Sequence, residues 1–330
     1  MDALAGFLEG PRARRAFLLR SLMEPPWSLR IQDEAPLTVV AVVRGNAWVV
    51  PDDGDPRQLG PGDVAIIRGP DPYTIADHTA TLPQVYVQPG QRCTTADGES
   101  LTEAMDLGVR TWGNDPDGST VKLVGTYQTD GAVSRRLLDA LPTLVVLPAD
   151  VLNSPLVELL ATEIVKDEPG QHVVLDRLLD LLLVAALRTW FARPETDPPA
   201  WFLANSDPVV GRAMRLLNND PSHPWTVARL AAAVGSSRAA LARRFHELVG
   251  EPPMTYLTNW RMALAADLLH EPRVTVGAVA RQVGYASPFT FSTAFKRIHG
   301  VSPQAYRNAA SAKPPFTSAT AGGSVAGAVV

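Results

Sequence analysis

The last third of the chain uses one unit of sequence twice. Five pairs of identical residues lie 50 positions apart: Ser237 and Ser287, Phe245 and Phe295, Gly250 and Gly300, Pro253 and Pro303, and Tyr256 and Tyr306. In each copy a short amphipathic pattern stops at a glycine, which tolerates the left-handed backbone of a tight helix end. A serine then opens the next pattern, and its hydroxyl can accept a hydrogen bond from an unpaired amide. The repeat therefore predicts two helix-turn-helix units, whose second helices fit the major groove of DNA.

The second helix of each unit divides into two faces. Apolar residues at three- and four-residue spacing are predicted to pack inward: Leu241, Phe245 and Leu248, then Phe291, Phe295 and Ile298. The residues left facing outward are Arg238, Ala239, Ala242, Arg243 and His246, then Pro288, Phe289, Thr290, Thr293 and Lys296. Residues 254–271 between the copies predict one helix of roughly 25 Å. Such a helix can hold two recognition helices in successive major-groove segments, which lie about 34 Å apart.

Charge is distributed unevenly along the 330 residues. Residues 208–310 carry 12 Lys and Arg against 5 Asp and Glu, a net charge of +7, whereas residues 1–207 carry 17 against 29, a net charge of -12. A basic third beside an acidic remainder indicates that one part meets a polyanion. The single cysteine excludes an internal disulfide framework, and we find neither a signal peptide nor the roughly 18 apolar residues of a membrane span. We expect a cytoplasmic protein.

The upstream part changes period along its length. The segments LTVVAVV, AWVV, DVAII, YTIAD and LPQVYV, between residues 37 and 88, are short, rich in Val and Ile and separated by turn residues, which predicts an antiparallel barrel or sandwich. A polar stretch at 94–119 precedes a further strand, VKLVGTYQ. From residue 153 apolar residues recur at helical spacing. A wide apolar stripe there serves either as domain core or as a dimer seam, and consists of Val174, Leu178, Leu181, Leu182 and Ala185.

Two long segments of the repeat region resemble a known family. WTVARLAAAVGSSRAALARRFHELVGEPPMTYLTNWRMALAADLL and VTVGAVARQVGYASPFTFSTAFKRIHGVSPQAYR resemble the AraC/XylS-type DNA-binding domain over roughly residues 208–308. LGPGDVAII, LDALPTLVVLPAD and VLDRLLDLLLVAALRTW are similar to the cupin-like sensor domain of one subgroup of these regulators. The resemblance implies a transcriptional regulator, commonly dimeric, with a β-barrel sensor in front of two DNA-reading motifs.

The resemblance also implies an organisation along the chain. We expect an α+β protein of two domains: a cupin-like β-barrel with flanking helices, then an all-α domain with two helix-turn-helix motifs joined by a long helix. The sensor and dimerisation domain covers 1–195, with strands at about 25–148 and helices at about 153–193. A linker at 196–207 leads to the DNA-binding domain at 208–308, and a disordered tail follows at 309–330.

Residue roles at the DNA follow from the resemblance and from charge. The family's base-reading positions fall on Ala239, Ala242, Arg243, Phe289, Thr290 and Thr293. Arg243 can bind guanine with two hydrogen bonds, whereas Ala239, Phe289 and threonine methyl groups can contact a thymine methyl. Phosphate contacts are predicted for Ser237, Arg238, Arg244, Ser287, Lys296 and Arg297, although neighbouring acidic side chains can also pair with the four basic ones. We expect the first motif to carry most of the specificity, because Thr293 stands where the first copy has Arg243.

The residues of the predicted barrel favour a sensor rather than an enzyme. Cupin metal sites need histidine and carboxylate ligands on neighbouring strands, and GNAWVVPDDGDPRQLG contains no histidine, while His78 stands alone and His172 lies in a helical region. We therefore predict no metal and no cofactor. Four aromatic residues are candidates for a ligand pocket or for simple core packing: Trp48, Tyr73, Tyr86 and Trp112. A redox role for Cys93 beside Arg92 is a weaker alternative, because the resemblance places its cysteine at Val124.

The predicted partners follow from these assignments. They are double-stranded promoter or operator DNA, a second copy of the chain, an unidentified small-molecule effector, and RNA polymerase if the protein is an activator. No membrane partner is expected. The alternatives left open are a cupin-type metal-dependent enzyme with an accessory helical domain and a nonspecific architectural DNA-binding protein.

Overall fold

A computed structural model describes residues 17–127, 135, 137–271 and 274–311. The chain divides into two compact units. The described residues of the first are 17–127 and 141–190, and those of the second are 135, 137–140, 191–271 and 274–311. No helix among these residues is long and apolar enough to cross a membrane.

The first unit is built on two six-stranded sheets. One sheet has the order β10-β1-β11-β3-β6-β12 and the other β5-β4-β7-β2-β8-β9. The strands are β1 Phe17–Met23, β2 Ser28–Ile31, β3 Leu37–Arg44, β4 Ala47–Pro51, β5 Arg57–Leu59, β6 Val64–Arg68, β7 Tyr73–Ala76, β8 Val85–Gln88, β9 Arg92–Thr94, β10 Thr111–Gly113, β11 Thr120–Tyr127 and β12 Leu144–Leu147. Every strand quoted from the sequence is present, within one residue at its ends except that the segment LPQVYV becomes a strand only from Val85. The polar stretch at 94–119 contains a further strand, β10. The strands were predicted to begin near residue 25, so β1 was not predicted.

Side chains from both sheets form one apolar cluster in the barrel. It includes Leu29, Val49, Ile75 and Val87 from the second sheet, and Val40, Val42, Ala65 and Ile67 from the first. Successive residues of a strand point to opposite faces, so the parity of these residues identifies the inward face of each strand. The barrel therefore has a defined interior against which other side chains can be placed.

Helices cover the outside of the first sheet. They are α1 Ala149–Leu152, α2 Leu156–Glu163 and α3 Gln171–Phe191. A Cβ added at Gly125 in β11 would lie 2.6 Å from a methyl carbon of Leu179, so the glycine lets α3 approach the strand closely. The predicted stripe on α3 is divided, because Leu182 is buried whereas Val174 and Leu181 are 45% and 54% exposed.

The second unit is helical. Its helices are α4 Ala200–Ala204, α5 Val210–Asn219, α6 Val227–Ala233, α7 Arg238–Val249, α8 Pro253–Leu268, α9 Val276–Gln282, α10 Pro288–His299 and α11 Pro303–Ser311. α6 with α7 and α9 with α10 are the two predicted helix-turn-helix units, and α8 is the long helix between them.

Helices lie across both predicted ends of the DNA-binding domain. The stretch predicted as a linker contains α4, whose buried Trp201 makes an edge contact with Phe191 at 6.1 Å between ring centroids. At the other end α11 continues to Ser311. Residues 312–330 lie outside the described part, so a disordered tail there stays a prediction.

Candidate nucleic-acid interface

The two helix-turn-helix units use the same local chemistry. Thr226 and Thr275 each accept a hydrogen bond from the amide three residues later, at 3.1 Å, and so begin α6 and α9. Ser237 accepts from the amide of Ala240 and Ser287 from that of Phe289, both at 3.2 Å, at the starts of α7 and α10. These bonds satisfy amides that a helix start leaves unpaired. Neither serine O–H group donates a hydrogen bond to another described residue, so both can donate to DNA.

Glycines shape the turn inside each unit. Gly235 and Gly284 have φ values of +71° and +85°, a region that side chains other than glycine adopt at a cost. Gly284 also lies against the chain at Ser222, whose Cα would be 2.8 Å from an added Cβ. At Gly235, apart from the two adjoining residues, no atom of the described residues lies within 4 Å of such a Cβ. The second turn is therefore constrained by packing as well as by backbone angle.

Equivalent aromatic pairs pack at the buried faces of the recognition helices α7 and α10. Phe245 meets Tyr256 edge-on with 5.6 Å between ring centroids, and Phe295 meets Tyr306 in the same way at 5.4 Å. Phe291 and Phe295 are fully buried in a cluster with α8 and α9. The predicted inward face is nevertheless too long, because Leu248 is 36% and Ile298 39% exposed. Each is two residues from the glycine that ends its helix, and both are exposed where the supporting core stops.

The predicted base-reading positions share one exposed face on each recognition helix. Ala239 and Arg243 are exposed and Ala242 is half-buried, while Phe289, Thr290 and Thr293 are all exposed. The Arg243 side chain is 74% exposed, and its nearest acid is Glu247 at 3.5 Å between Nη1 and Oε1. The Thr293 hydroxyl donates to the carbonyl of Phe289 at 3.1 Å, so this oxygen can only accept from a base. Phe289 is 80% exposed, which is unusual for an aromatic side chain.

The six predicted phosphate contacts do not behave alike. Arg238, Lys296 and Arg297 are exposed, consistent with a phosphate role. Arg244 instead donates through Nε and Nη2 to Oδ2 of Asp207, at 2.8 and 2.5 Å. Asp207 also accepts from the amide of Val210 at the start of α5. Arg244 therefore joins α7 to α5, and of the two roles left open for it the structure supports the acidic partner.

Comparisons with known proteins agree with this geometry. A family described as Cupin matches residues 2–192, and one described as Helix-turn-helix domain matches residues 230–309. An AraC-like transcription regulator of Streptomyces antibioticus is 32% identical over 80% of this chain and 85% of its own length. One of Streptomyces lividans is 32% identical over 85% and 90%. This chain belongs to the AraC family. It is a DNA-binding transcriptional regulator with a cupin-like domain, as predicted, and the fold class is confirmed.

Structural neighbours include the DNA-binding domain of AdpA, the global transcriptional factor, in complex with a target DNA. It is 34% identical, and the match covers 33% of this chain and 98% of that chain with a TM-score of 0.31. The named relatives of this AraC-family protein are transcription regulators, so the enzyme alternative is not supported.

In the cupin-like domain of this AraC-family regulator, the four aromatic residues predicted as pocket candidates lie in two different environments. Tyr73 and Trp112 are buried and belong to the interior cluster. Trp48 and Tyr86 have the opposite parity to Val49 and Val87, so they lie on the outer face of their sheet. Both are only half-buried. Neither Trp48 nor Tyr86 therefore faces the interior cluster, and a ligand role for the four aromatic residues stays a prediction.

The interior holds one charged side chain that the sequence analysis missed. Lys122 on β11 is 1% exposed, and its Nζ donates to the hydroxyl of Ser21 at 2.9 Å. The same nitrogen lies 4.1 Å from the ring centroid of Trp27. Burial lowers the pKa of Lys122 from 10.5 to about 7. The signal available in the sequence was the lone lysine in the apolar strand TVKLVGTY.

The other candidate chemistry of the barrel finds less support. Burial raises the pKa of the Cys93 thiol to about 11, which is opposite to the lowered value that an oxidant-sensing thiolate needs. His78 is exposed, and its Nδ1 accepts from the amide of Ala80 at 3.1 Å. Among the described residues no three His, Cys, Asp or Glu side chains are grouped to hold a metal ion.

Proposed function

We propose that this regulator recognises operator DNA through α7 and α10, with the first helix carrying most of the specificity. The observation that carries the proposal is Arg243, which is 74% exposed on the outer face of α7. Its contact with Glu247 is 3.5 Å long and exposed to solvent, so a guanine edge can replace it at little cost.

The second helix contributes contacts of another kind. Phe289, Thr290 and Thr293 present an aromatic ring, a methyl group and an acceptor oxygen. These groups suit thymine methyls and base amino groups, and they discriminate less than a guanidinium does. Phosphate contacts from Arg238, Lys296 and Arg297, with the hydroxyls of Ser237 and Ser287, supply affinity that does not depend on sequence.

The remaining partners belong to the same proposal. The exposed Val174 and Leu181 on α3 support a homodimer that joins through this helix, because exposed apolar side chains on one helix face favour association. The barrel binds a small effector, and an activating form of the protein contacts RNA polymerase. A regulator of this kind acts in the cytoplasm, where bacterial DNA is located.

Arg243→Ala tests the assignment. Binding sites are first selected from random duplexes, and affinity is then measured on the selected site and on a scrambled one. We expect Arg243→Ala to lose about 1–3 kcal/mol on the selected site, which is roughly 5- to 150-fold, with little loss on the scrambled one. Arg238→Ala on the same helix is the matched control and should weaken both equally while lowering the salt dependence.

Two results decide against the proposal. Equal losses for Arg243→Ala on both duplexes would remove Arg243 from base recognition. Failure to select any preferred site would favour nonspecific architectural binding, which predicts no footprint.

A further inference from the structure

The barrel interior contains a basic side chain without an acidic partner among the described residues. The Lys122 side chain is fully buried between the sheets, and within the described residues no carboxylate forms an ion pair with it. Its polar contact is the Ser21 hydroxyl, which is uncharged. An unpaired buried charge is strongly destabilising, and buried polar groups in native proteins normally have partners.

Two indole groups nearby are in the same condition. The Nε1 atoms of Trp27 and Trp112 are buried and have no hydrogen-bond partner in the described part of the chain. The Trp27 ring lies under the Lys122 ammonium. Trp112 pairs in register with Ser21, and Ser21 with Lys122, so these three side chains occupy one row across β10, β1 and β11.

The chemistry of the group is one-sided. The protonated Lys122 side chain and the two indole groups supply only donors, because neither kind of group has a lone pair that can accept a hydrogen bond. Each unpaired donor buried in an apolar interior costs about 1–3 kcal/mol. A ligand with acceptor oxygens removes these costs together, and a carboxylate also supplies the missing charge.

The surroundings define the rest of such a ligand. The interior cluster is otherwise apolar, with Val40, Val42, Val49, Ile75 and Val87 among its members. Ligand sites of proteins combine an apolar lining with a few convergent polar groups. A compact molecule with an anionic head and an apolar body matches both parts.

We propose that Lys122, with Trp27 and Trp112, forms the head-group site for a small apolar carboxylate inside the cupin barrel. The carboxylate accepts from the Lys122 ammonium and from the indole N–H groups, and its hydrocarbon part replaces contacts among the aliphatic side chains. This inference rests on the proposed effector role of the barrel.

The test uses the full-length protein and matched probes. Benzoate and octanoate are compared with benzyl alcohol and octan-1-ol, each at a series of concentrations, by thermal unfolding and by calorimetry at pH 8. We expect at least one carboxylate to raise the unfolding temperature while its alcohol does not. We also expect binding to take up about one proton, because the bound anion restores the charge on Lys122. The heat of binding should then differ between buffers of different ionisation enthalpy.

Variants locate the effect. Lys122→Met should lower the affinity for the carboxylate at least tenfold and remove the rise in unfolding temperature. Lys166→Met, at a surface lysine paired with Glu163, should leave both unchanged. The site is overturned if neither carboxylate binds, or if Lys122→Met binds it as the original protein does. Operator binding is measured in parallel on the same variants. If neither the original protein nor the variants bind operator DNA, the proposed function is refuted, whereas the carboxylate measurement still stands.

Discussion

Replacing Lys122 with methionine should stabilise the protein, and the gain should depend on pH. The lysine pKa falls from 10.5 in the unfolded chain to about 7 in the barrel because of burial. The unfolded state therefore binds more protons between these values, and stability rises with pH across this window. The cost of the lysine is fully present below about pH 7 and disappears above about pH 10.5.

The magnitude follows from the two pKa values. Burying this lysine costs roughly 4 kcal/mol at pH 7 and roughly 1 kcal/mol at pH 9.5. Methionine has a similar volume and no charge, but it leaves the Ser21 hydroxyl without its partner, which subtracts about 1 kcal/mol at either pH. The expected gain for Lys122→Met is thus roughly 3 kcal/mol at pH 7, and it shrinks to nearly nothing at pH 9.5.

Urea unfolding of both proteins at several pH values measures this difference. Other groups titrate equally in both, so the difference isolates Lys122. Tyr73 and Cys93 share the interior cluster, and burial raises the pKa of each, that of Cys93 to about 11, so they stay protonated in this range. A stability difference that is constant with pH, or a variant less stable than the original at pH 7, would refute the reasoning.

Two further predictions concern the turns and the dimer. Gly235→Ala should cost about 1–2 kcal/mol from backbone strain alone, whereas Gly284→Ala should cost about 1–3 kcal/mol more because its Cβ meets Ser222; equal losses in urea unfolding would contradict this. Leu181→Glu should raise the dimer dissociation constant at least tenfold in sedimentation equilibrium, while Val165→Glu, at a residue of similar exposure outside α3, should not. An unchanged constant for Leu181→Glu would exclude α3 as the seam.

The helix-turn-helix units were predictable because their chemistry is local. Caps such as Ser237 and turn glycines such as Gly284 act through neighbours in the sequence, and repetition confirms that the pattern is not accidental. Burial near helix ends was not predictable in the same way. Leu248 and Ile298 continue the apolar spacing, but both lie in the last turn of their helices and are exposed there.

The barrel interior was harder to predict because both faces of its central strands are covered. On β11, Lys122 and Val124 share one face while Leu123 and Gly125 share the other. α3 packs over the second face, so alternation of polar and apolar residues disappears. The sequence shows only that Lys122 lies in an apolar strand. The register with Val42 on β3, whose side chain belongs to the interior cluster, assigns the lysine to the inside.

The same strand joins the proposed ligand site to the proposed dimer helix. Lys122 faces the interior, and three residues later Gly125 faces α3. There the strand backbone lies so close to Leu179 that an added Cβ would be 2.6 Å from one of its methyl carbons. A ligand can shift a conformational equilibrium only by its differential affinity for the two states. Packed interiors transmit displacement rather than absorb it, so we expect a ligand that draws on Lys122 to act on α3 through β11. A roughly 4 kcal/mol cost of burying the lysine bounds the free energy that its neutralisation by a carboxylate can contribute to that shift.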